Sequence, residues 1–236
     1  MIELRDPTIA NSPLHPLLSG ASLTIPRGTL TALIGRNGCG KSTLLRVMAG
    51  LQRPVSGEVL VNGMNVGHTH PRELARELAF VATDRVEVSH LTARELVSLA
   101  RSPYTGLMGR LSADDERIVD KALADVEMSA FANREVGRLS DGEARRVMIA
   151  RALAQTTPVI LLDEPTSFLD VPGRREVCAL LARLAFEGKT VVFSTHEFGP
   201  AFARADRVLM MAERRLTLLP PAEMEKSALF RATFGD

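Results

Sequence analysis

One stretch constrains this chain more than any other: Gly35-Arg36-Asn37-Gly38-Cys39-Gly40-Lys41-Ser42, followed by Thr43. Its spacing, G-x-x-x-x-G-K-S, is that of a loop built to hold phosphate. Glycines at 35, 38 and 40 let the backbone turn with positive φ and approach a ligand with no Cβ in the way. Successive N–H groups then point inward as an anion nest. Lys41 adds a cation for the outer phosphates, and Ser42 a hydroxyl for Mg²⁺. The flanks agree. Leu30 to Ile34 reads as a buried strand, and Thr43 to Ala49, closed by Gly50, as a helix, so phosphate would sit at a helix N-terminus. The expected ligand is a nucleoside triphosphate with Mg²⁺, and Gly35, Arg36, Asn37, Gly38, Cys39, Gly40, Lys41, Ser42 and Thr43 are its candidate contacts. Cys39 lies near that helix N-terminus, where a thiol pKa can fall.

A second motif supplies acid. Val159-Ile160-Leu161-Leu162 is an apolar run that delivers Asp163 to a strand end, where open α/β sheets bind ligands. Paired with Ser42, Asp163 would hold Mg²⁺. Glu164, one residue on, could orient and deprotonate an attacking water. A third motif, Leu139-Ser140-Asp141-Gly142-Glu143, has capping-box spacing between Ser140 and Glu143 ahead of a helix with Val147, Ala150 and Ala154.

Between these motifs the pattern changes. Residues 1–34 read as short strands and turns, and Glu58 to Val61 with Asn62-Gly63 as a hairpin. Leu78 to Ala82 is one more core strand. From 83 to about 154 the periodicity is helical, with Thr92-Ala93-Arg94-Glu95 as a capping box and Ser112 ahead of Asp114, Asp115 and Glu116. Strands return at 159–163, 190–194 and 207–211, with a helix over 174–187 and a short helical tail from about 220.

Composition narrows the partners. At 236 residues with formal charge +1, the chain has no general pull toward nucleic acid, and none is expected as a partner. Two cysteines suit a reducing compartment better than a disulfide framework. Neither a secretory leader nor an apolar run of about 18 residues is visible.

The three motifs together make the chain resemble the ATPase subunit of ABC transporters, whose signature LSGGQ corresponds to Leu139 to Glu143. Pro165 to Asp170 is similar to that family's D-loop, and His196 to its switch histidine. The resemblance implies an α/β P-loop NTPase with an N-terminal antiparallel β subdomain and an inserted all-helical subdomain. The α/β core would span about 1–82 and 155–219, the helical signature subdomain about 83–154, and the tail 220–236. It implies a head-to-tail homodimer in which each ATP lies between one loop and the partner's Ser140 and Gly142, with Asp170 at the interface. Glu164 is then the base, with His196 and Lys41 completing the catalytic set. Permeases would be separate proteins, with this chain peripheral on the cytoplasmic face of the inner membrane.

The segments Ala100 to Ser112 and Ile149 to Gln155 are similar to importers of iron–siderophores, haem and cobalamin. Residues 83–110 are expected to dock the permease, with Arg94 and Arg101 as charges to probe that contact. A soluble, non-transport ABC ATPase and a low-turnover nucleotide-binding module are the alternatives. Three departures stand out: Thr83 occupies the register of a family glutamine that touches Mg²⁺, Asp141 replaces a signature glycine, and no aromatic residue precedes the loop to stack on adenine, leaving His15 or an aliphatic.

Overall fold

The computed structural model describes residues 1–12, 15–83, 90–106 and 109–235. Its strands are β1 (Ile2–Ser12), β2 (His15–Leu18), β3 (Leu23–Ile25), β4 (Leu30–Ile34), β5 (Ser56–Val61), β6 (Met64–Asn65), β7 (Leu78–Val81), β8 (Val159–Leu162), β9 (Thr190–Ser194), β10 (Arg207–Ala212) and β11 (Arg215–Leu219). Its α-helices are α1 (Lys41–Met48), α2 (Pro71–Glu77), α3 (Ala93–Ser98), α4 (Ala113–Asp125), α5 (Asp141–Ala154), α6 (Val171–Phe186), α7 (Phe198–Arg204), α8 (Pro221–Lys226) and α9 (Ala228–Phe234).

Two sheets form. A six-stranded sheet runs β11-β10-β4-β9-β8-β7, parallel from β10 to β7, with β11 antiparallel at the edge. The other is antiparallel, β2-β1-β5-β6, with β3 also paired to β1. Every residue of β4, β8 and β9 is buried, which is why they are unbroken apolar runs rather than alternating ones. Side chains alternate across β4: Leu30 and Ala32 enter the core shared with α4, α5 and α6, and Leu33 enters the one shared with α1 and the antiparallel sheet.

The parallel arrangement brings the C-terminal ends of β4, β9 and β8 to one edge. It therefore groups Gly35, Thr195 and Asp163, with the Thr195 N–H donating to Leu33 O at 3.1 Å. Helices α3, α4 and α5 pack on one another, and α5 also packs on β7. Both expected capping boxes form, Thr92 with Glu95 and Ser140 with Glu143, and Ser112 makes a third with Asp115.

Some boundaries differ from expectation. Strand β1 extends to Ser12, past an irregular register between Arg5 and Thr8 where Asp6 has φ 48°. Helix α6 begins at Val171 rather than Arg174, because Asp170 caps it through the Gly173 N–H and Pro172 suits a first turn. A third core joins the tail to β10. Met224 of α8 is fully buried there, and Phe198 and Phe202 of α7 pack on Phe230 and Phe234 of α9, with ring centroids from 4.4 to 5.5 Å between the two helices.

Candidate functional site

Loop 35–42 leaves β4 through a glycine that nothing else can replace. A Cβ on Gly35 would stand 2.6 Å from both Cys39 Sγ and Met211 O. Gly38 has φ 78°, and Gly40, with φ 110°, caps α1 without a side chain, so the first-turn N–H groups face outward for an anion. Lys41 is 7% exposed, and its Nζ donates to Gly35 O at 2.9 Å and Arg36 O at 3.4 Å. The ammonium is thus stored on the loop's own carbonyls. Arg36, Asn37, Gly38 and Ser42 are exposed; Cys39, Gly40 and Thr43 are half-buried. Burial pushes the Cys39 thiol pKa up, against the opposing influence of the Lys41 charge and the backbone N–H groups of Lys41 and Cys39. Desolvation thus outweighs the nearby cation and the helix N-terminus, at which a thiol pKa can fall.

Asp163 follows β8 and is 2% exposed. Its N–H donates to Val81 O at 2.8 Å, and its Oδ1 accepts the Ser194 hydroxyl at 2.5 Å. Ser194 Oγ in turn accepts the Glu164 N–H at 2.8 Å. Glu164 has φ 48°, a left-handed conformation uncommon for a residue with a Cβ. Its Oε2 accepts from Ser167 Oγ at 2.9 Å and lies 3.5 Å from Nδ1 of the exposed His196. The candidate base and the candidate switch histidine are therefore neighbours. Thr83 Oγ1 donates to Asp163 O at 3.2 Å, reaching the acidic pair's backbone rather than its carboxylate.

Sequence reasoning missed two members of this group. Ser194 sits at the end of an apolar strand, and a polar residue there was the available signal. Arg145, in α5, donates to the backbone carbonyls of Ala82, Asp163 and Glu164. Burial works against its charge, and the Asp163 and Glu164 carboxylates support it.

Across the sheet edge, the loop after β4 and the acid after β8 stand on either side of β9. Two strand spacings separate them, about 10 Å. The signature residues lie elsewhere. Ser140 Oγ and N–H both bond Glu143 Oε2, at 2.9 and 2.7 Å, which holds the Glu143 pKa low. Gly142 lies against Leu169 and the Phe168 carbonyl, and Asp170 accepts the Gly173 N–H at 3.0 Å. Segments 140–143 and 167–170 are thus neighbours. Helix α5 packs on α3, α4 and β7, whereas α1 packs on β1 and β5. Phe168 and Val171, flanking the second segment, are 69% and 59% exposed.

The segment expected to dock a permease lies partly outside the described residues, at 84–89 (with Asp84 and Arg85) and 107–108. Within it, Arg101 is not a surface charge. It is 6% exposed, with Nε on Asp115 Oδ1 at 2.8 Å, Nη1 on Ala154 O and Thr156 Oγ1 at 2.9 Å, and the Tyr104 ring 4.1 Å from its Cζ. Arg94 pairs with Asp120 at 3.0 Å and remains partly accessible. In the stretch expected near adenine, Leu17 lines the loop: a Cβ on Gly40 would stand 3.0 Å from its Cδ1. Residues 13–14 lie outside the described residues.

A profile described as ABC transporter matches residues 18–167. The iron(3+)-hydroxamate import ATP-binding protein FhuC of Bacillus subtilis (strain 168) is 39% identical over 186 residues, covering 78% of this chain and 69% of that protein. Among solved structures, a metal-chelate type ABC transporter in an inward-facing conformation superposes with TM-score 0.85 at 26% identity, over 99% of this chain and 88% of that one. The ATP-binding cassette MJ0796, solved as a dimer in a post-hydrolysis state bound to ADP and phosphate, gives TM-score 0.83 at 30% identity, over 94% of this chain and 99% of that chain.

Proposed function

Because the chain belongs to the ABC transporter family, as an ATP-binding cassette, we propose that it hydrolyses ATP to power import of an iron chelate through separate membrane permeases. The chelate reading rests on the import role in the name of the Bacillus subtilis relative and on the metal-chelate type of the similar transporter. The alternatives of a non-transport ATPase and a low-turnover module are not favoured by these relatives. No described helix is long and apolar enough to cross a membrane, and membrane association would come through the permeases.

The observation that carries hydrolysis is the contact group Asp163–Ser194–Glu164–His196 beside the phosphate loop. In this reading the loop N–H groups and Lys41 hold the phosphates, Lys41 exchanging the Gly35 and Arg36 carbonyls for phosphate oxygens. The donor set of the Ser42 hydroxyl and the Asp163 carboxylate is all oxygen and suits Mg²⁺, which takes one or two protein ligands and otherwise phosphate and water. Asp163, buried with Oδ1 already engaged by Ser194, is oriented for such a role. Mg²⁺ would supply charge neutralisation on the phosphates. Glu164 accepts a proton from a water whose oxygen attacks the γ-phosphorus as the bond from that phosphorus to the β-phosphate oxygen breaks, giving ADP and phosphate. His196 orients that water and the γ-phosphate.

A second copy completes the site in this reading. The dimeric cassette supports it, as do the exposed Phe168 and Val171 beside Asp170. Ser140 and Gly142 of that copy would close on the γ-phosphate, each chain using an α/β core (about 1–82 and 155–219) and a helical subdomain (about 83–154). The test is steady-state ATPase of wild type against Glu164→Gln. Loss of about 10²-fold or more in kcat, with a dimer trapped by ATP on size exclusion, is the expected result. Equal rates would remove Glu164 as the base.

A further inference from the structure

Arg145 has no part in the chemistry above, yet its guanidinium reaches the backbone carbonyls of both acidic residues. It lies in the second turn of α5 and is 6% exposed. One Nη donates to Ala82 O at 2.5 Å, and the other to Glu164 O at 2.7 Å and to Asp163 O. Thr83 Oγ1 shares that Asp163 carbonyl. A single guanidinium thus gathers the carbonyl before Thr83 and those of both acidic residues.

Its effect on Glu164 follows from the backbone. The Glu164 N–H is fixed by Ser194 Oγ, and its carbonyl by Arg145 at 2.7 Å together with the Ser167 N–H at 3.1 Å, so the peptide groups on both sides of the Cα are pinned. Between them the residue holds φ 48°, a conformation that non-glycine residues keep only when the surroundings impose it. The direction of the carboxylate depends on that backbone. The helix that carries Arg145 begins at Asp141 with Ser140 as its cap, so Ser140 and Gly142 stand about 1.4 and 0.8 turns before Arg145 on one rigid rod.

We propose that Arg145 is a positioning residue that ties the signature helix to the backbone of Asp163 and Glu164, so that each chain's base responds to whether its own Ser140 and Gly142 have engaged the nucleotide of the second copy. This rests on the dimeric reading above. It makes α5 a link between the two ATP sites of the dimer.

The experiment uses the full chain: steady-state ATPase over a range of MgATP, and mant-ATP binding by fluorescence, for wild type, Arg145→Met and Arg145→Gln. Expected for Arg145→Met is a kcat about tenfold lower or more, a mant-ATP Kd within about threefold of wild type, and a Hill coefficient reduced toward unity. Arg145→Gln keeps donors for the carbonyls and should recover part of the kcat. Folded Arg145→Met with wild-type kcat and Hill coefficient overturns the proposal. So does a loss of kcat matched by an equal loss of mant-ATP binding in both variants. If Arg145→Met does not fold, Arg145→Gln decides: a lower kcat at unchanged Kd supports the role, and a wild-type kcat overturns it. A wild type without turnover, or Glu164→Gln as fast as wild type, would instead overturn the function on which this role rests.

Discussion

Ser194 Oγ donates to Asp163 Oδ1 at 2.5 Å, a buried hydrogen bond between the last residue of β9 and the carboxylate that follows β8. The same oxygen receives the Glu164 N–H, so one hydroxyl sets the carboxylate of one acid and the backbone of the next.

Replacing it should be felt at both acids. Ser194→Ala leaves Asp163 and the Glu164 N–H short of a partner in a buried place, a cost of about 1–3 kcal/mol. The ATPase rate is expected to fall about tenfold, and the Mg²⁺ concentration for half-maximal rate to rise. A Mg²⁺ titration of turnover, read beside urea denaturation, checks both. An unchanged Mg²⁺ midpoint would mean that Asp163 is oriented without Ser194.

Arg101 offers a contrast, because its partners join three segments of the helical region: Asp115 of α4, Ala154 at the end of α5, and Thr156 beyond it. Breaking a buried pair by removing one partner costs about 3–5 kcal/mol. Arg101→Ala should therefore lower the denaturation midpoint strongly, whereas Arg94→Ala, whose partner Asp120 is 61% exposed, should change stability by less than about 1 kcal/mol. Of the two, Arg94 is the position where charge reversal can probe permease docking without unfolding the protein.

The pH dependence of that region has a definite sign. Hydrogen bonds from the Ser112 N–H and hydroxyl, and then from Arg101, hold the Asp115 carboxyl at about 2. A carboxyl lowered on folding contributes stability that is fully present above its unfolded value of about 3.9 and is lost as pH falls toward the folded one. The gap in thermal midpoint between wild type and Asp115→Asn should therefore be constant above about pH 5 and close between about pH 4 and 2. A gap that persists unchanged to pH 2 would show that the charge on Asp115 is not what Ser112 and Arg101 stabilise.

The thiols are expected to be slow. Burial pushes both Cys39 and Cys178 above the usual thiol range. Alkylation by iodoacetamide at neutral pH should be sluggish and accelerate with pH. MgATP should protect Cys39, inside the loop, and leave Cys178, in α6, unaffected. Mass spectrometry of the alkylated peptides distinguishes the two, and a Cys39 that reacts equally with and without nucleotide would place the ligand elsewhere.

How much of this was legible in the sequence depended on what each residue had to do. Strands β4, β8 and β9 are covered on both faces, so their positions could be read from continuous apolar runs. The start of α5 announced itself because Ser140 and Glu143 cap it locally. Glycine spacing marked the phosphate loop for a similar reason: the constraint lies in consecutive residues. Helix α2 was missed because His70 Nδ1 caps it, accepting the Arg72 N–H at 3.3 Å, a cap outside the usual Ser, Thr, Asp and Asn. Arg145 and Arg101 were opaque because a basic residue on a helix ordinarily faces water. Their carbonyl partners lie up to 63 residues away, and backbone acceptors leave no mark on side-chain identity.

The seat of Gly35 against Met211 O and Cys39 Sγ also bears on how this gene can drift. Alanine, the smallest step away, already brings a methyl carbon into a backbone oxygen that β10 holds in place. A saturation library at codon 35 selected for function should return glycine alone. At codon 63, in the turn between β5 and β6, where a Cβ would meet nothing within 4 Å and only the positive φ of 86° resists, asparagine should survive alongside it. Two glycines of one chain would thus carry different histories, one frozen by its neighbours and the other restrained only by its own backbone.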